Sequence, residues 1–318
     1  MSAAVGLVSV TRRIGARAVV DDVTLAVRER ELLTLVGPSG CGKSTLLRLI
    51  AGLERPSSGT ITLGGVDVTD VPPERRRVGL VFQEHALFPH LSVGRNVAFG
   101  LRHLDRRRRI ERVEEMLELV RLPGVARRYP HELSGGEQQR IALARALAPD
   151  PAAVLLDEPF ANLDASLRDE LRADVVAALR ARGAAALLVT HDRDEALALG
   201  DRVAVMRNGA VVQVDQPEVV WRAPLDEFVA GFLGPVSLVP ADDGQFAIVR
   251  PHQFELVSGD ADVVVEREFR GAVWRHAIVR ADGTRVIVDA EPGDDREVGA
   301  ACVVRVRPGG PLARLRRS

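Results

Sequence analysis

The sequence predicts an α/β domain built around a phosphate-binding loop and followed by a small all-β domain. First, the apolar run Leu32–Val36 is typical of a buried strand, and it leads through a glycine-rich loop into the apolar helix Ser44–Ala51. Second, further apolar runs that end in polar residues alternate with helical patterns, as in a parallel sheet covered by helices. Third, the chain beyond Gly234 contains short strand-like runs without long helices. A length of 318 residues accommodates two such domains.

The glycine-rich loop fits the pattern G-x-x-x-x-G-K-[ST], which binds nucleotide phosphates. The loop and the start of its helix comprise Gly37, Pro38, Ser39, Gly40, Cys41, Gly42, Lys43, Ser44 and Thr45. The glycines let backbone N–H groups point inward, and the helix N-terminus adds a partial positive charge. We expect Lys43 to reach the β- and γ-phosphates and the Ser44 hydroxyl to bind Mg²⁺. Cys41 is expected to fill a small position without a chemical role.

Polar side chains follow three further strands of the predicted sheet. Asp157 and Glu158 end an apolar strand, and we expect Asp157 to hold Mg²⁺ and Glu158 to act as general base on the attacking water. His191 ends another strand and is expected beside the γ-phosphate, because ligands bind at the carboxyl ends of parallel strands. The amide of Gln83 is predicted to coordinate Mg²⁺ or the attacking water, and a solvated turn is the alternative interpretation.

Ser134 is followed by two glycines and then by Glu137, a pattern with two interpretations. Ser134 and Glu137 fit a simple capping box at a helix start. The box does not explain Gly135 and Gly136, whereas two glycines at a helix N-terminus suit a second anion site. One nucleotide needs two such sites in a chain only if two chains share it.

Residues 84–150 have a mostly helical pattern, and overall composition gives no sign of a nucleic-acid partner. A helix is predicted with an inward face formed by Ile110, Val113, Met116, Leu117 and Val120. The run Arg106–Arg109 before it is interpreted as a solvated helix start, since the net charge is −1 and only 4% of residues are aromatic.

No apolar run reaches ~18 residues, so we expect any membrane role to depend on a spanning partner.

The domain boundary is placed at Gly234, which gives a nucleotide-binding domain over 1–234 and a small β-barrel over 235–318. Near the N-terminus, two short strands are predicted on either side of a polar stretch, at Val5–Val10 and Val23–Val27. Five strands are predicted in the second domain, at Phe246–Arg250, Val263–Phe269, Val273–Arg280, Arg285–Ala290 and Ala301–Val306.

With these motifs in this order, the chain resembles the ATP-binding subunits of ABC transporters, specifically bacterial importers with a C-terminal TOBE domain, which is an OB-like barrel. The resemblance implies a Walker A loop at Gly37–Ser44, a Q-loop glutamine at Gln83, a signature motif at Leu133–Arg140 that includes Gln138, a Walker B pair at Asp157 and Glu158, a D-loop aspartate at Asp164 and an H-loop histidine at His191. It implies ATP and Mg²⁺ as cofactors. It also implies a head-to-tail homodimer, in which Ser134, Gly135 and Gly136 of one copy contact the γ-phosphate held by Lys43 of the other.

The resemblance further implies integral membrane permease subunits as partners, and through them an extracytoplasmic solute-binding protein, but no nucleic acid. The chain is then expected at the cytoplasmic face of the membrane, with the segment Gln83–Leu101 receiving the permease. Two short motifs, Val249–His252 and Phe269–Gly271, resemble TOBE motifs of ferric-iron and polyamine importers. The cargo expected on that basis is ferric iron, or a polyamine or quaternary amine.

One position departs from the pattern of these relatives, which usually stack an aromatic side chain on adenine. The matching stretch offers Ile14, so we expect apolar packing on adenine with looser base selectivity. Two other functions remain open at this point. A soluble ABC ATPase acting on nucleic acid or ribosomes would be expected to carry a coiled-coil insertion or tandem cassettes, and a non-hydrolytic regulatory module would not need both Glu158 and His191.

Overall fold

The computed structural model describes residues 3–82, 86–161, 165–240, 246–294, 296–307 and 313–315. The chain divides into two compact units, Met1–Pro217 and Glu218–Ser318. The boundary expected at Gly234 therefore falls inside the second unit. A physical reason is that the buried guanidinium of Arg250 donates to the carbonyls of Ala230 and Gly234, both at 2.9 Å, which ties the segment before Gly234 to the strands after it.

Besides three 3-10 turns, the described residues of the first unit form ten strands and six α-helices. They are β1 Ala3–Ile14, β2 Arg17–Arg28, β3 Leu32–Val36, α1 Lys43–Ala51, β4 Ser58–Leu63, β5 Val66–Asp67, β6 Val78–Val81, α2 Val93–Val97, α3 Arg106–Leu119, α4 Gly135–Leu147, β7 Ala153–Asp157, α5 Ala165–Arg182, β8 Ala186–Thr190, α6 Arg193–Leu199, β9 Arg202–Arg207 and β10 Ala210–Asp215. No helix in the described ranges is long and apolar enough to cross a membrane.

The central sheet has the strand order β10-β9-β3-β8-β7-β6 and is parallel except for the hairpin strand β10. Strands β3 and β8 are buried along their whole length, as expected for a sheet covered on both faces. One core contains α1, and the other contains α3, α4 and α5. The parallel sheet places the carboxyl ends of β3, β7 and β8 at one edge, which confirms the α/β prediction.

The N-terminal strands are longer than the sequence analysis proposed. They run through the polar stretch and meet at a turn where Gly15 has a φ of 60°. Polar residues fit there because the antiparallel sheet β2-β1-β4-β5 leaves alternate side chains exposed.

The predicted inward face of α3 is only partly correct. Val113, Met116 and Leu117 are buried and Val120 is buried just beyond the helix, but Ile110 is 49% exposed. Its periodicity is right, yet no neighbouring described element covers the helix at that turn. The arginine run does form the helix start, capped by Asp105, whose side chain accepts a hydrogen bond from the amide of Arg108.

In its described residues the second unit is all-β apart from two short α-helices and one 3-10 turn at Pro251–Gln253. Its elements are α7 Pro217–Arg222, α8 Glu227–Leu233, β11 Ser237–Pro240, β12 Phe246–Val249, β13 Phe254–Phe269, β14 Trp274–Val279, β15 Arg285–Ala290, β16 Ala301–Val306 and β17 Ala313–Leu315. They form two sheets, ordered β11-β12-β17 and β15-β14-β13-β16, that share one apolar core. The small β domain is confirmed. Strands β11 and β17 were not predicted, and closure into a barrel stays a prediction.

Candidate nucleotide site

The phosphate-binding loop is packed so tightly against its neighbours that two of its glycines have no room for a side chain. A Cβ on Gly37 would lie 2.2 Å from the carbonyl oxygen of Met206, and one on Gly42 would lie 2.4 Å from that of Val19. Gly42 also has a φ of 109°, which other residues adopt only under strain. Gly40 has a φ of 75° in open space. The loop shape predicted from the glycines is therefore present and is held by β2 and β9.

The ammonium group of Lys43 lies inside this loop. Its Nζ donates to the carbonyls of Gly37 at 2.8 Å and of Pro38 at 3.1 Å, and the residue is 5% exposed. Cys41 is buried, and burial raises the pKa of its thiol although Lys43 opposes the shift. Its carbonyl accepts from the amide of Gly209, in the Asn-Gly turn of the β9–β10 hairpin. The backbone of Cys41 thus anchors the loop to the hairpin, and its thiol is a small buried side chain.

The other loop residues that were predicted to contact the nucleotide lie where a ligand can reach them. Pro38, Ser39 and Gly40 are exposed at the rim, and Thr45 is half-buried in the first turn of α1.

Ser44 and Asp157 meet where α1 begins and β7 ends. The Ser44 hydroxyl donates to Oδ1 of Asp157 at 3.0 Å. Burial raises the pKa of the Asp157 carboxyl, the nearby charge of Glu158 raises it further, and the hydrogen bond from Ser44 opposes the rise. The pair therefore offers hard oxygen donors and a carboxylate whose charge is incompletely compensated by the chain.

Glu158 and His191 form the second pair at this edge of the sheet. Oε2 of Glu158 lies 2.9 Å from Nδ1 of His191, and the amide of Glu158 donates to the carbonyl of Val189 at 2.9 Å. Glu158 has a φ of 46°, a conformation that turns the chain sharply as β7 ends. Its side chain is 21% exposed and that of His191 is 55% exposed, so both can reach a ligand from solvent. The adjacency expected from strand order is present.

Ser134 caps α4 as the capping-box interpretation predicted. Its hydroxyl accepts from the amide of Glu137 at 3.3 Å. Its amide and its hydroxyl donate to Oε2 of Glu137 at 2.8 Å and 2.9 Å, and these two bonds lower the pKa of that carboxyl. Ser134 and Gly135 are exposed and Gly136 is buried. The cap serves the amide of Glu137, which leaves the amides of Gly135 and Gly136 for another acceptor.

Two further predicted site residues, Gln138 and Ile14, lie in the first turns of α4 and at the end of β1. Nε2 of Gln138 donates to the carbonyls of Pro130 at 3.0 Å and Leu133 at 3.2 Å, so this amide nitrogen supports the chain that enters α4. Ile14 is 59% exposed at the tip of β1. Gln83 and Asp164 lie outside the described residues.

A buried polar cluster beside His191 was not predicted from the sequence. Glu195 is 4% exposed, and its two carboxylate oxygens accept from Thr190 and from Arg172, each at 2.7 Å. One local signal was available, since Asp192 stands three residues before Glu195 and does cap α6. The contact with Arg172 carried no local signal because it joins two different helices.

Comparison with known proteins gives consistent matches. Residues 20–161 match the family model described as ABC transporter. The sulfate/thiosulfate import ATP-binding protein CysA of Caulobacter vibrioides is 43% identical over 93% of this chain and 96% of its own length. The Fe(3+) ions import ATP-binding protein FbpC of Streptomyces avermitilis is 45% identical over 95% and 92%. The spermidine/putrescine import ATP-binding protein PotA of Nitrosospira multiformis is 48% identical over 73% and 65%.

Solved structures support the same fold. The ATP-binding cassette MJ0796, described as the dimeric structure of a post-hydrolysis state bound to ADP and Pi, aligns with a TM-score of 0.59 and 31% identity. The alignment covers 67% of this chain and 98% of that one.

Proposed function

The chain belongs to the ATP-binding proteins of ABC transporters, and from that premise we propose that its residues perform ATP hydrolysis for a bacterial importer in the roles set out below. One observation carries the assignment: the Lys43 loop, the Ser44–Asp157 pair and the Glu158–His191 pair stand on neighbouring strand ends of one sheet. ATP enters as the substrate, and its phosphates lie on the loop. The importer relatives favour this function over a soluble ATPase acting on nucleic acid and over a non-hydrolytic module.

Mg²⁺ fits the Ser44–Asp157 pair. A hydroxyl and a carboxylate are the hard oxygen donors this ion prefers, and the raised pKa of Asp157 marks a charge that a cation would stabilise. Ser44 and Asp157 would hold the ion, with Gln83 as the third residue assigned to it. When bound, Mg²⁺ neutralises charge on the phosphate oxygens.

The remaining chemistry belongs to side chains of this chain. Lys43 would leave the loop carbonyls to bind the β- and γ-phosphates, and the inward amides of Gly40 and Gly42 would bind phosphate oxygens. Glu158 would accept a proton from the attacking water at its carboxylate. His191 would donate through Nδ1 to Glu158, which would fix the orientation of that carboxylate, and its ring would lie beside the γ-phosphate.

We assign the exposed start of α4 to the nucleotide of a second copy. The amides of Gly135 and Gly136 form an anion site, with Ser134 beside them and Gln138 supporting the loop behind. Asp164 is assigned to the same shared interface. The dimer described for MJ0796 supports this arrangement. ATP would then hold two copies together, and hydrolysis would release them.

An apolar surface beside the helical region is the proposed permease contact. Phe88 lies against Phe99 with ring centroids 4.5 Å apart, and Phe99 is 43% exposed. The buried side chain of Asn96 fixes the loop, because its Oδ1 accepts from the amide of Phe88 at 2.8 Å and its Nδ2 donates to the carbonyl of Leu91 at 3.0 Å. Docking there would place the chain at the cytoplasmic face of the membrane, with a solute-binding protein on the far side.

For the cargo we propose ferric iron or a polyamine, in line with the names of two relatives. The CysA relative makes sulfate the third choice. Uptake of each labelled solute, in cells with and without this chain, distinguishes the three.

Adenine contact by Ile14 is tested separately: Ile14→Tyr should tighten ATP binding and increase the preference for ATP over GTP.

The proposed catalytic mechanism is tested by measuring Mg²⁺-dependent ATP hydrolysis against protein concentration. The rate should rise faster than linearly, and Glu158→Gln should lower kcat by about 10²–10⁴-fold while trapping an ATP-bound dimer. A rate proportional to concentration, with no ATP-induced dimer, would remove Ser134, Gly135 and Gly136 from the site. A Glu158→Gln variant that hydrolyses ATP normally would remove Glu158 as the base.

A further inference from the structure

The turn that carries His191 is fixed by hydrogen bonds on both of its flanks. Oγ1 of Thr190 accepts from the amide of Asp192 at 2.9 Å. Oδ1 of Asp192 accepts from the amides of Asp194 at 2.8 Å and Glu195 at 3.2 Å. The backbone on either side of His191 is therefore held, although its own side chain is largely exposed.

Both flanks are hydrogen-bonded to one ion pair, formed by the buried Glu195 and the half-buried Arg172. Oε2 of Glu195 accepts from the Thr190 hydroxyl and Oε1 accepts from Arg172, each at 2.7 Å. The same Arg172 Nη2 also lies 3.2 Å from Oδ2 of Asp192. Arg172 belongs to α5 and Glu195 to α6, so this pair connects two helices to the two neighbours of His191.

The ion pair is close to the reacting groups. A small cavity of about 40 Å³ is lined by Glu158, Thr190, His191 and Glu195 among others. A buried carboxylate is costly without a cation, and Arg172 supplies one in bonded contact. Loss of Arg172 would leave the buried carboxylate of Glu195 without a cation, and loss of Glu195 would remove the acceptor of the Thr190 hydroxyl. Either change would move the turn.

We propose that Glu195 and Arg172 are positioning residues for ATP hydrolysis. They hold the Thr190–Asp192 turn so that the imidazole of His191 keeps its hydrogen bond to Glu158. The inference depends on the proposed function, because it acts through His191. Among the described residues, no hydrogen bond or ion pair joins Glu195 or Arg172 to the phosphate-binding loop, so their loss should lower kcat and leave the KM for ATP nearly unchanged.

A matched control lies at the end of the parallel strands opposite to the nucleotide site. Glu31 is also buried, and its oxygens accept from the amide of Arg28 at 2.6 Å and from Arg202 at 3.2 Å. It precedes β3, at the amino ends of the parallel strands. Glu195→Gln and Glu31→Gln therefore each damage one buried ion pair, but only the first should lower kcat, by about tenfold to a hundredfold.

A double-mutant cycle with His191→Ala separates positioning from general destabilisation. In single-turnover hydrolysis by the full chain, Glu195→Gln should cost little in the His191→Ala background, whereas Glu31→Gln should act independently of it. Equal costs of Glu195→Gln with and without His191 would overturn the inference. Normal hydrolysis by His191→Ala would also overturn it, because His191 would then have no role to support. Absence of Mg²⁺-dependent ATP hydrolysis by the unmodified chain would instead refute the proposed function.

Two further readouts keep the test decisive if a variant is unstable or a rate is too low to measure. Thr190→Ser keeps the hydroxyl and should retain kcat, whereas Thr190→Val loses it and should resemble Glu195→Gln. In ring-labelled histidine NMR spectra, the His191 signal, identified by its absence in His191→Ala, should shift in Glu195→Gln but not in Glu31→Gln. An unmoved His191 signal in Glu195→Gln would contradict the positioning role.

Discussion

At the scale of single residues, Asp157 shows how this site trades stability for binding. Burial raises the pKa of its carboxyl, so the folded chain favours the protonated form. A raised pKa contributes stability that is present below the unfolded value and is lost as pH rises through the folded one. Above the pKa of the folded chain the charged carboxylate is therefore a cost to the nucleotide-free chain, and Mg²⁺ would offset it.

We predict that Asp157→Asn stabilises the nucleotide-free first unit while abolishing hydrolysis. The amide removes the buried charge, and the melting temperature should rise by about 2 °C. Mg²⁺-dependent hydrolysis should fall at least about a hundredfold. Calorimetry gives the stability, and the transition of the first unit is identified as the one that ATP shifts. Asp21→Asn, at an exposed position on β2 of the same unit, should change neither quantity, and a lower melting temperature in Asp157→Asn would contradict this prediction.

At the scale of elements, Arg250 holds the helices of the second unit to its strands. Its guanidinium is nearly buried, donates to Ala230 and Gly234, and lies 3.8 Å from the ring centroid of Trp221. Arg250→Ala should leave these carbonyls buried without a donor, at about 1–3 kcal/mol for each. Both tryptophans, Trp221 and Trp274, belong to the second unit, so fluorescence during urea unfolding reports this unit alone.

The control for this prediction is Arg305→Ala. Arg305 is an exposed arginine on β16 of the same unit, and its removal should leave the fluorescence midpoint within error. A midpoint for Arg250→Ala that equals this control would show that α7 and α8 are held by other contacts.

Elements with strong local patterns were predictable from the sequence. The glycine pattern, the apolar strand before it and the Ser134 cap each depend on residues within about ten positions, and each is confirmed. Periodicity also identified the inner side of α3, but it could not show where along the helix the neighbouring elements end, so Ile110 was misplaced.

Contacts between distant elements could not be predicted in this way. The approach of Gly37 to Met206 and the pairing of Arg172 with Glu195 depend on which strands and helices become neighbours. No local pattern encodes that choice. The candidate site was therefore predictable as a set of strand ends, whereas the polar cluster that supports His191 was visible only in the folded chain.

At the scale of the whole molecule, two compact units with separate cores imply two unfolding transitions that respond differently to pH. His276 lies on β14 and is fully buried in the second unit. Burial lowers the pKa of its imidazole, Arg267 and Arg296 also lower it, and Asp294 opposes them. The folded unit therefore favours the neutral ring.

The sign of the pH effect follows from that preference. Below the ordinary histidine pKa near 6.5, the unfolded chain binds a proton that the folded unit resists, so stability falls as pH decreases through this value. We predict that the tryptophan-monitored midpoint falls between pH 7 and pH 5, and that His276→Gln reduces this dependence.

His252 provides the comparison, because it is exposed in the same unit and His252→Gln should leave the pH dependence intact. If His276→Gln and the unmodified chain lose stability equally on acidification, other groups carry the effect. If only the unmodified chain does so, one buried imidazole makes the second unit the acid-sensitive part of a two-unit protein.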